Sequence, residues 1–199
     1  MLDGDGRDQG LSFSSPYVYS EHVLNKLGLE QAVPPWDFLP RRQTNKVLLN
    51  LIGKGDVCKG LPPSVVWEVI GRLAKKLPSV LFLVVYLLDE GQPEPPAWIS
   101  AMTNLQIETA HFGSVKVTEL YCGARLVVTS EGGGYHMAYG VGTPALLVTS
   151  EQWFAVVREY ALPPIQHETV LFNASADSKI NPVQIAKDIA LWILDHLAH

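Results

Sequence analysis

Residues 124–150 read ARLVVTSEGGGYHMAYGVGTPALLVTS and contain two apolar runs of strand length. Between the runs lie Gly132, Gly133 and Gly134, followed by a segment around His136 that we predict to be helical. Runs that are apolar almost throughout, rather than alternating with polar residues, are typical of strands buried on both faces of a parallel sheet. The stretch therefore predicts a strand, a glycine-rich turn, a helix and a second buried strand.

The same alternation continues on both sides of this stretch. Strands are predicted at 46–52, 79–87, 105–110 and 169–175, and helices at 63–76, 97–103, 114–122, 151–160 and 181–197. Asn181 can cap the last helix, and Pro182 suits its first turn. Repeated strand–helix units with apolar strands indicate an α/β, Rossmann-like parallel sheet with helices on both faces.

The first 45 residues have a different composition. The chain starts with a polar, glycine-rich segment, has a short helical pattern at 19–28, and then a proline-bearing connector at 32–45. Prolines lack the amide donor that regular structure uses. We therefore expect an N-terminal arm and connector at 1–45 and one Rossmann-like domain at 46–199.

Charge and cysteine content exclude several classes of protein. Fifteen basic and twenty acidic residues give a net charge of −5, and no long basic run suggests a nucleic-acid surface. The two cysteines, Cys58 and Cys122, do not make a disulfide framework, so we expect a cytoplasmic location. The longest apolar run, 80–88, is far shorter than the ~20 residues of a membrane span.

Two loops at the carboxyl edge of the predicted sheet indicate a ligand site. Ligands of such sheets bind beyond the carboxyl ends of the strands, where loops meet helix N-termini. Gly133 and Gly134 would expose amides to an anion, and His136 could donate a hydrogen bond to a phosphate oxygen. The loop at 53–63 brings Lys54 and Lys59 to the same edge. The alternatives are a flexible turn with a core histidine and a solvated loop with ordinary surface lysines.

The segment from Glu131 to Ala138, with Gly142-Thr143-Pro144 after it, resembles a motif of the family-nine glycosyltransferases, the lipopolysaccharide heptosyltransferase group. That motif follows an apolar strand and reads Asp-Ser/Thr-Gly, two residues, His-Leu-Ala, and then Gly-Thr-Pro. Here Glu131 replaces the aspartate and Gly132 the hydroxyl residue. The resemblance covers roughly residues 16–199.

The resemblance implies the C-terminal, nucleotide-sugar-binding domain of a GT-B glycosyltransferase. It implies a nucleoside diphosphate sugar donor similar to ADP-heptose, and transfer without a metal or a further cofactor. Four kinds of contact residue follow from it: Lys59 at the phosphates, Glu90 near the nucleoside, Phe112 against the base, and the segment Glu131–Gly132–Gly133–Gly134 with His136 around the diphosphate and sugar.

The resemblance also implies an N-terminal half that supplies the acceptor and the catalytic base, and this sequence starts in the connector. No catalytic residue is therefore assigned; Asp56 and Glu131 are candidate bases, and His136 joins them if the chain alone transfers sugar. Three interpretations remain open: a glycosyltransferase domain, a nucleotide-binding subunit that works with a partner chain or by self-association, and an interaction module that has lost its ligand.

Overall fold

The computed structural model describes residues 45–52, 59–88, 94–111, 114–158, 166–174 and 179–198. The predicted arm and connector and the predictions for Lys54, Asp56, Glu90 and Phe112 lie outside these residues, so they stay predictions. The division of the chain at residue 45 is a prediction for the same reason.

The described residues form a single parallel sheet of six strands with the order β3-β2-β1-β4-β5-β6. The strands are β1 (Lys46–Asn50), β2 (Leu81–Leu87), β3 (Leu105–Ala110), β4 (Leu126–Ser130), β5 (Ala145–Ser150) and β6 (Thr169–Phe172). The helices are α1 (Pro63–Lys76), α2 (Val115–Gly123), α3 (Gly133–Gly140), α4 (Glu151–Val157) and α5 (Pro182–Leu197). The predicted Rossmann-like α/β fold is confirmed.

Alternating strand residues serve the two faces of the sheet, as the pleat requires. Val47 and Leu49 of β1 pack with α1 and α5 on one face, whereas Leu48 between them packs with α2 and α3 on the other. All three are fully buried. Because both faces are covered by helices, consecutive residues in the middle of a strand can all be apolar, which explains the sequence pattern.

One predicted helix is of a different type in the structure, and another begins at the predicted residue. The segment predicted at 97–103 is a 3₁₀ helix, Ala97–Ala101, with hydrogen bonds from the Ile99 amide to the Pro96 carbonyl and from the Met102 amide to the Ile99 carbonyl. Such short pieces behind a proline suit the tighter i→i+3 pattern. Helix α5 begins as predicted, because Asn181 Oδ1 accepts from the amides of Val183 (3.1 Å) and Gln184 (3.3 Å).

The edge strand β3 is held by the helix that follows it. Lys116 of α2 donates through Nζ to the carbonyl oxygen of Thr109 at 2.8 Å and forms an ion pair with Glu108 Oε2 at 2.9 Å. Both strand residues belong to β3, so one side chain joins the edge of the sheet to its neighbouring helix.

The strand order creates a topological switch point at the centre of the sheet, where a crevice is expected. The chain leaves β1 towards β2 on one side and leaves β4 towards β5 on the other, although β1 and β4 are neighbours. Ligands of open α/β sheets bind at this kind of switch point, outside the carboxyl ends of the two strands. The described end of the loop after β1, from Lys59, and the turn after β4 both lie at the carboxyl ends of these strands.

Candidate functional site

Lys59 lies where the loop after β1 returns to the sheet. Its carbonyl oxygen accepts a hydrogen bond from Thr149 Oγ1 of β5 at 3.0 Å, and Thr149 is fully buried. The next residue, Gly60, lies so close to the end of β4 that a Cβ on it would be 2.9 Å from Ser130 Cβ. The backbone of Lys59 is therefore fixed above the carboxyl ends of β4 and β5.

Gly132 begins the turn between β4 and α3 in a conformation that only glycine adopts readily. Its φ is 135° and its ψ is −161°, a region that costs other residues about 1–3 kcal/mol. In the described part of the chain, no atom beyond the two neighbouring residues lies within 4 Å of a Cβ placed there, so the requirement comes from the backbone conformation. This turn directs the chain from the end of β4 into α3.

Gly134 is required for a different reason, which the sequence did not reveal. A Cβ on Gly134 would lie 2.5 Å from the Tyr121 hydroxyl, 2.6 Å from Asn50 Nδ2 and 2.7 Å from Thr129 Oγ1. Asn50 Nδ2 donates to the Tyr121 hydroxyl at 2.6 Å. Burial raises the pKa of Tyr121 to about 12, so the hydroxyl stays neutral. The start of α3 packs on the polar cluster that Tyr121, Asn50 and Thr129 form.

The first turn of α3 presents amides to the crevice. The amides of Tyr135 and His136 both donate to the carbonyl oxygen of Gly132, at 3.1 and 3.4 Å. Gly133 and Gly134 precede these bonds, so their amides have no acceptor within the helix. With the helix dipole, they favour an anion at this end of α3.

Trp153 of α4 connects the loop lysine with the glycine turn. The Lys59 ammonium lies over the Trp153 ring, 4.8 Å from its centroid, and Trp153 Nε1 donates to Glu131 Oε2 at 2.9 Å. The structure thus brings Lys59, from the loop after β1, close to Glu131, which lies on the turn after β4 just before the N-terminus of α3. No motif in the sequence indicates Trp153 as part of this site.

His136 lies half-buried on the first turn of α3. Burial lowers the pKa of its imidazole below the usual 6.5, and the negative charge of Glu131 opposes this shift only in part. The ring is therefore neutral at pH 7, and a neutral imidazole still has one N–H to donate.

Replacement of His136 by glutamine is expected to remove part of the acid sensitivity of the fold. The unfolded chain has the higher histidine pKa, so below about pH 6.5 it binds more protons than the folded chain, and the parent loses stability as the pH falls. Urea unfolding at pH 7.5 and 5.5 measures this loss in the parent and in His136→Gln. An equal loss of stability in both proteins would contradict the lowered pKa of His136.

Four buried polar residues gather at this edge: Thr129, Ser130, Thr149 and Ser150. They end the two neighbouring strands β4 and β5, and they recur in the sequence as Val-Thr-Ser-Glu at 128–131 and at 148–151. This repeated tetrapeptide is the feature of the sequence from which these four residues could have been predicted to belong to the site. Ser150 Oγ accepts from the Trp153 amide at 3.1 Å and so caps α4 below the indole.

No group of three or more histidine, cysteine or acidic side chains that could hold a metal ion occurs within the described ranges. In the same part of the chain, no helix combines the length and the apolar character that crossing a membrane requires.

No protein-family profile and no curated protein sequence matches the chain. Solved structures do match its fold. The E. coli heptosyltransferase WaaC with ADP matches with a TM-score of 0.63 and 14% identity, over 96% of this chain and 59% of that chain. WaaC with ADP-2-deoxy-2-fluoro heptose matches with a TM-score of 0.56 and 16% identity, over 89% and 54%.

A third match extends the comparison beyond heptosyltransferases. The pneumococcal O-GlcNAc transferase GtfA, in complex with UDP and GlcNAc, matches with a TM-score of 0.50 and 15% identity, over 98% of this chain and 40% of that chain. The chain has the fold of a C-terminal-like domain of the GT-B glycosyltransferases, as the resemblance implied. It spans about 59% of the length of WaaC, and these identities establish the fold alone.

Proposed function

We propose that this chain is a glycosyltransferase-type domain that binds a nucleoside diphosphate sugar at the switch point between β1 and β4. The contacts we assign are Lys59 and His136 together with the amides of Gly133 and Gly134. An adenine nucleotide with a heptose-like sugar is the donor that the resemblance favours. The WaaC structures, which hold ADP and an ADP-heptose analogue, support the same choice. A cytoplasmic role in lipopolysaccharide biosynthesis belongs to this proposal.

One observation supports the proposal above the others. In the described part of the chain the Lys59 ammonium has an aromatic ring beside it and no carboxylate within ion-pair distance. Its backbone is nevertheless fixed by the buried Thr149. A cation held in place without an anionic partner among these residues, close to a helix start whose first amides have no acceptor within the helix, is suited to bind a phosphate.

The chemistry of transfer explains why these groups are useful. When the bond between the anomeric carbon and the phosphate oxygen breaks, the diphosphate leaves with the bonding electrons and gains negative charge. Preorganised donors directed at this charge lower the barrier, because they need no reorganisation at the moment of reaction. In our proposal Lys59 and the α3 amides supply this stabilisation without a metal.

The acceptor and the base are proposed to come from elsewhere. A residue outside the described ranges, a partner chain or a second copy of this chain could supply them, and Asp56 and Glu131 remain the candidate bases within this sequence. Without an oriented acceptor, sugar transfer by the isolated chain should be negligible. Binding of a nucleotide is therefore the first property to test.

ADP is expected to stabilise the chain against heat. A ligand present at about 100 times its dissociation constant adds about 2.7 kcal/mol to the free energy of unfolding. Because the assigned contacts bind phosphates, pyrophosphate should also stabilise the chain, whereas adenosine should not. Differential scanning fluorimetry with the three compounds at millimolar concentration measures the effect.

Absence of any shift with ADP and with pyrophosphate would contradict the proposal and favour an interaction module without a ligand. Equal stabilisation by adenosine would place the nucleotide away from Lys59. If ADP binds, assays of sugar transfer then separate an enzyme from a nucleotide-binding subunit.

A further inference from the structure

The indole of Trp153 is held at two points. Its backbone amide donates to Ser150 Oγ at the cap of α4, and its ring N–H donates to Glu131 Oε2. Ser150 is fully buried. A side chain fixed at its backbone and at the far edge of its ring has one orientation, so the ring presents a fixed face to Lys59.

We propose that Trp153 is a positioning residue of the phosphate site: Glu131 orients its indole, and the indole face holds the Lys59 ammonium in place to meet a phosphate. This inference rests on the proposed function and adds a role for two residues. Glu131 acts here through the indole and not through the donor sugar.

The Trp153 ring contacts the Lys59 ammonium without forming an ion pair with it. A carboxylate can form an ion pair with a lysine, and that pair would compete with a phosphate for the ammonium. The Trp153 N–H occupies Glu131 Oε2, and the ring itself lies against Lys59. The aromatic face attracts the cation through its quadrupole and does not neutralise it. As far as the described residues are concerned, the three N–H donors of the Lys59 ammonium therefore remain available to an incoming anion.

Positioning also lowers the entropy cost of binding. A long lysine side chain loses considerable rotamer freedom when it is ordered by a ligand. Where the ring already restricts these rotamers, less freedom is lost at the moment of binding, and affinity rises accordingly. The expected benefit is that of a partly exposed cation–π contact, about two- to fivefold in affinity.

Two matched pairs of variants of the full chain test this role by titration calorimetry with ADP. Trp153→Phe keeps an aromatic face, whereas Trp153→Leu removes it, so the leucine variant should bind ADP about two- to fivefold more weakly than the parent. Glu131→Gln and Glu131→Leu both remove the charge, but only glutamine keeps an acceptor for the indole N–H. Glu131→Leu should therefore bind more weakly than Glu131→Gln.

A spectroscopic signal separates positioning from a structural role. The Trp153 indole gives one ¹H–¹⁵N cross-peak, assigned by its loss in Trp153→Phe. ADP should move this cross-peak in the parent. In Lys59→Met, which keeps the length of the side chain without its charge, the cross-peak should already be displaced without ligand and should then respond little to ADP.

The outcomes distinguish this inference from the function on which it rests. If the parent binds neither ADP nor pyrophosphate, both the proposed function and the inference fail. Suppose that the parent binds ADP, that Trp153→Leu binds it as well as Trp153→Phe does, and that Glu131→Leu binds it as well as Glu131→Gln does. The inference alone then fails. Tighter binding by Trp153→Leu would mean that the ring withholds the ammonium from the ligand, which also overturns it.

Discussion

Gly134→Ala is expected to lower the free energy of unfolding by about 1–3 kcal/mol, the range for overpacking a closed site. The new methyl group would overlap the Tyr121 hydroxyl, Asn50 Nδ2 and Thr129 Oγ1, all within 2.7 Å of its position. Tyr121 is fully buried, so it cannot move aside into solvent. The start of α3 must shift instead, and with it the amides proposed to bind phosphate. Urea unfolding measures the stability, and ADP titration measures the second effect.

Gly140→Ala is the matched control for this substitution. Gly140 ends the same helix, but within the described ranges no atom outside its own helix and its two chain neighbours lies within 4 Å of the position that a Cβ would take there. Alanine there should leave stability unchanged or raise it by up to about 1 kcal/mol, because it restricts the unfolded chain. Equal stability of the two variants would show that Tyr121, Asn50 and Thr129 move at little cost to admit the methyl group. The packing explanation of Gly134 would then be wrong.

Lys59→Ala is expected to weaken ADP binding by about 1.5–3 kcal/mol, the range for a hydrogen bond to a charged group. The cation–π contact with Trp153 is the main side-chain interaction lost, so stability without ligand should fall by less than about 1 kcal/mol. The large loss of affinity together with a small loss of stability is the result that identifies a ligand contact. Calorimetric titration and urea unfolding of one preparation give both quantities.

Lys76→Ala provides the control for net charge. Lys76 is exposed at the end of α1 that points away from the crevice, so its removal changes the charge of the protein and leaves the site intact. ADP should bind this variant as it binds the parent. An unchanged affinity in Lys59→Ala would return Lys59 to the class of ordinary loop lysines.

Most of the fold could be predicted because its causes are local. The central residues of β1 (47–49) and β4 (126–128) are all apolar, since helices cover both faces, and this pattern is visible in the sequence. Asn181 and Pro182 likewise predict the start of α5 from neighbouring residues alone. The strand order is different, because it depends on which distant strands pair. Val47 lies opposite both Phe82 and Leu126, and nothing near Val47 in the sequence specifies either partner.

The site could be predicted only where a motif indicates it. The glycine turn and Lys59 follow from their places after two buried strands. Trp153 could not be found in this way, because its role depends on contacts with two loops that are far away in the sequence. Gly134 was selected as a ligand contact, yet its close approach to Tyr121 and Asn50 is a packing requirement that arises only when three elements meet.

The attachment of Lys116 to the rim of the sheet has a consequence for aggregation. An outermost strand normally offers unpaired backbone groups on which another chain can add a strand of its own. Here the Thr109 carbonyl is already occupied by a lysine, and Glu108 beside it is charged. Both features oppose fibril-like growth from β3. At this margin of the sheet, a strand of another copy would have to displace Lys116 before it could pair with the Thr109 carbonyl.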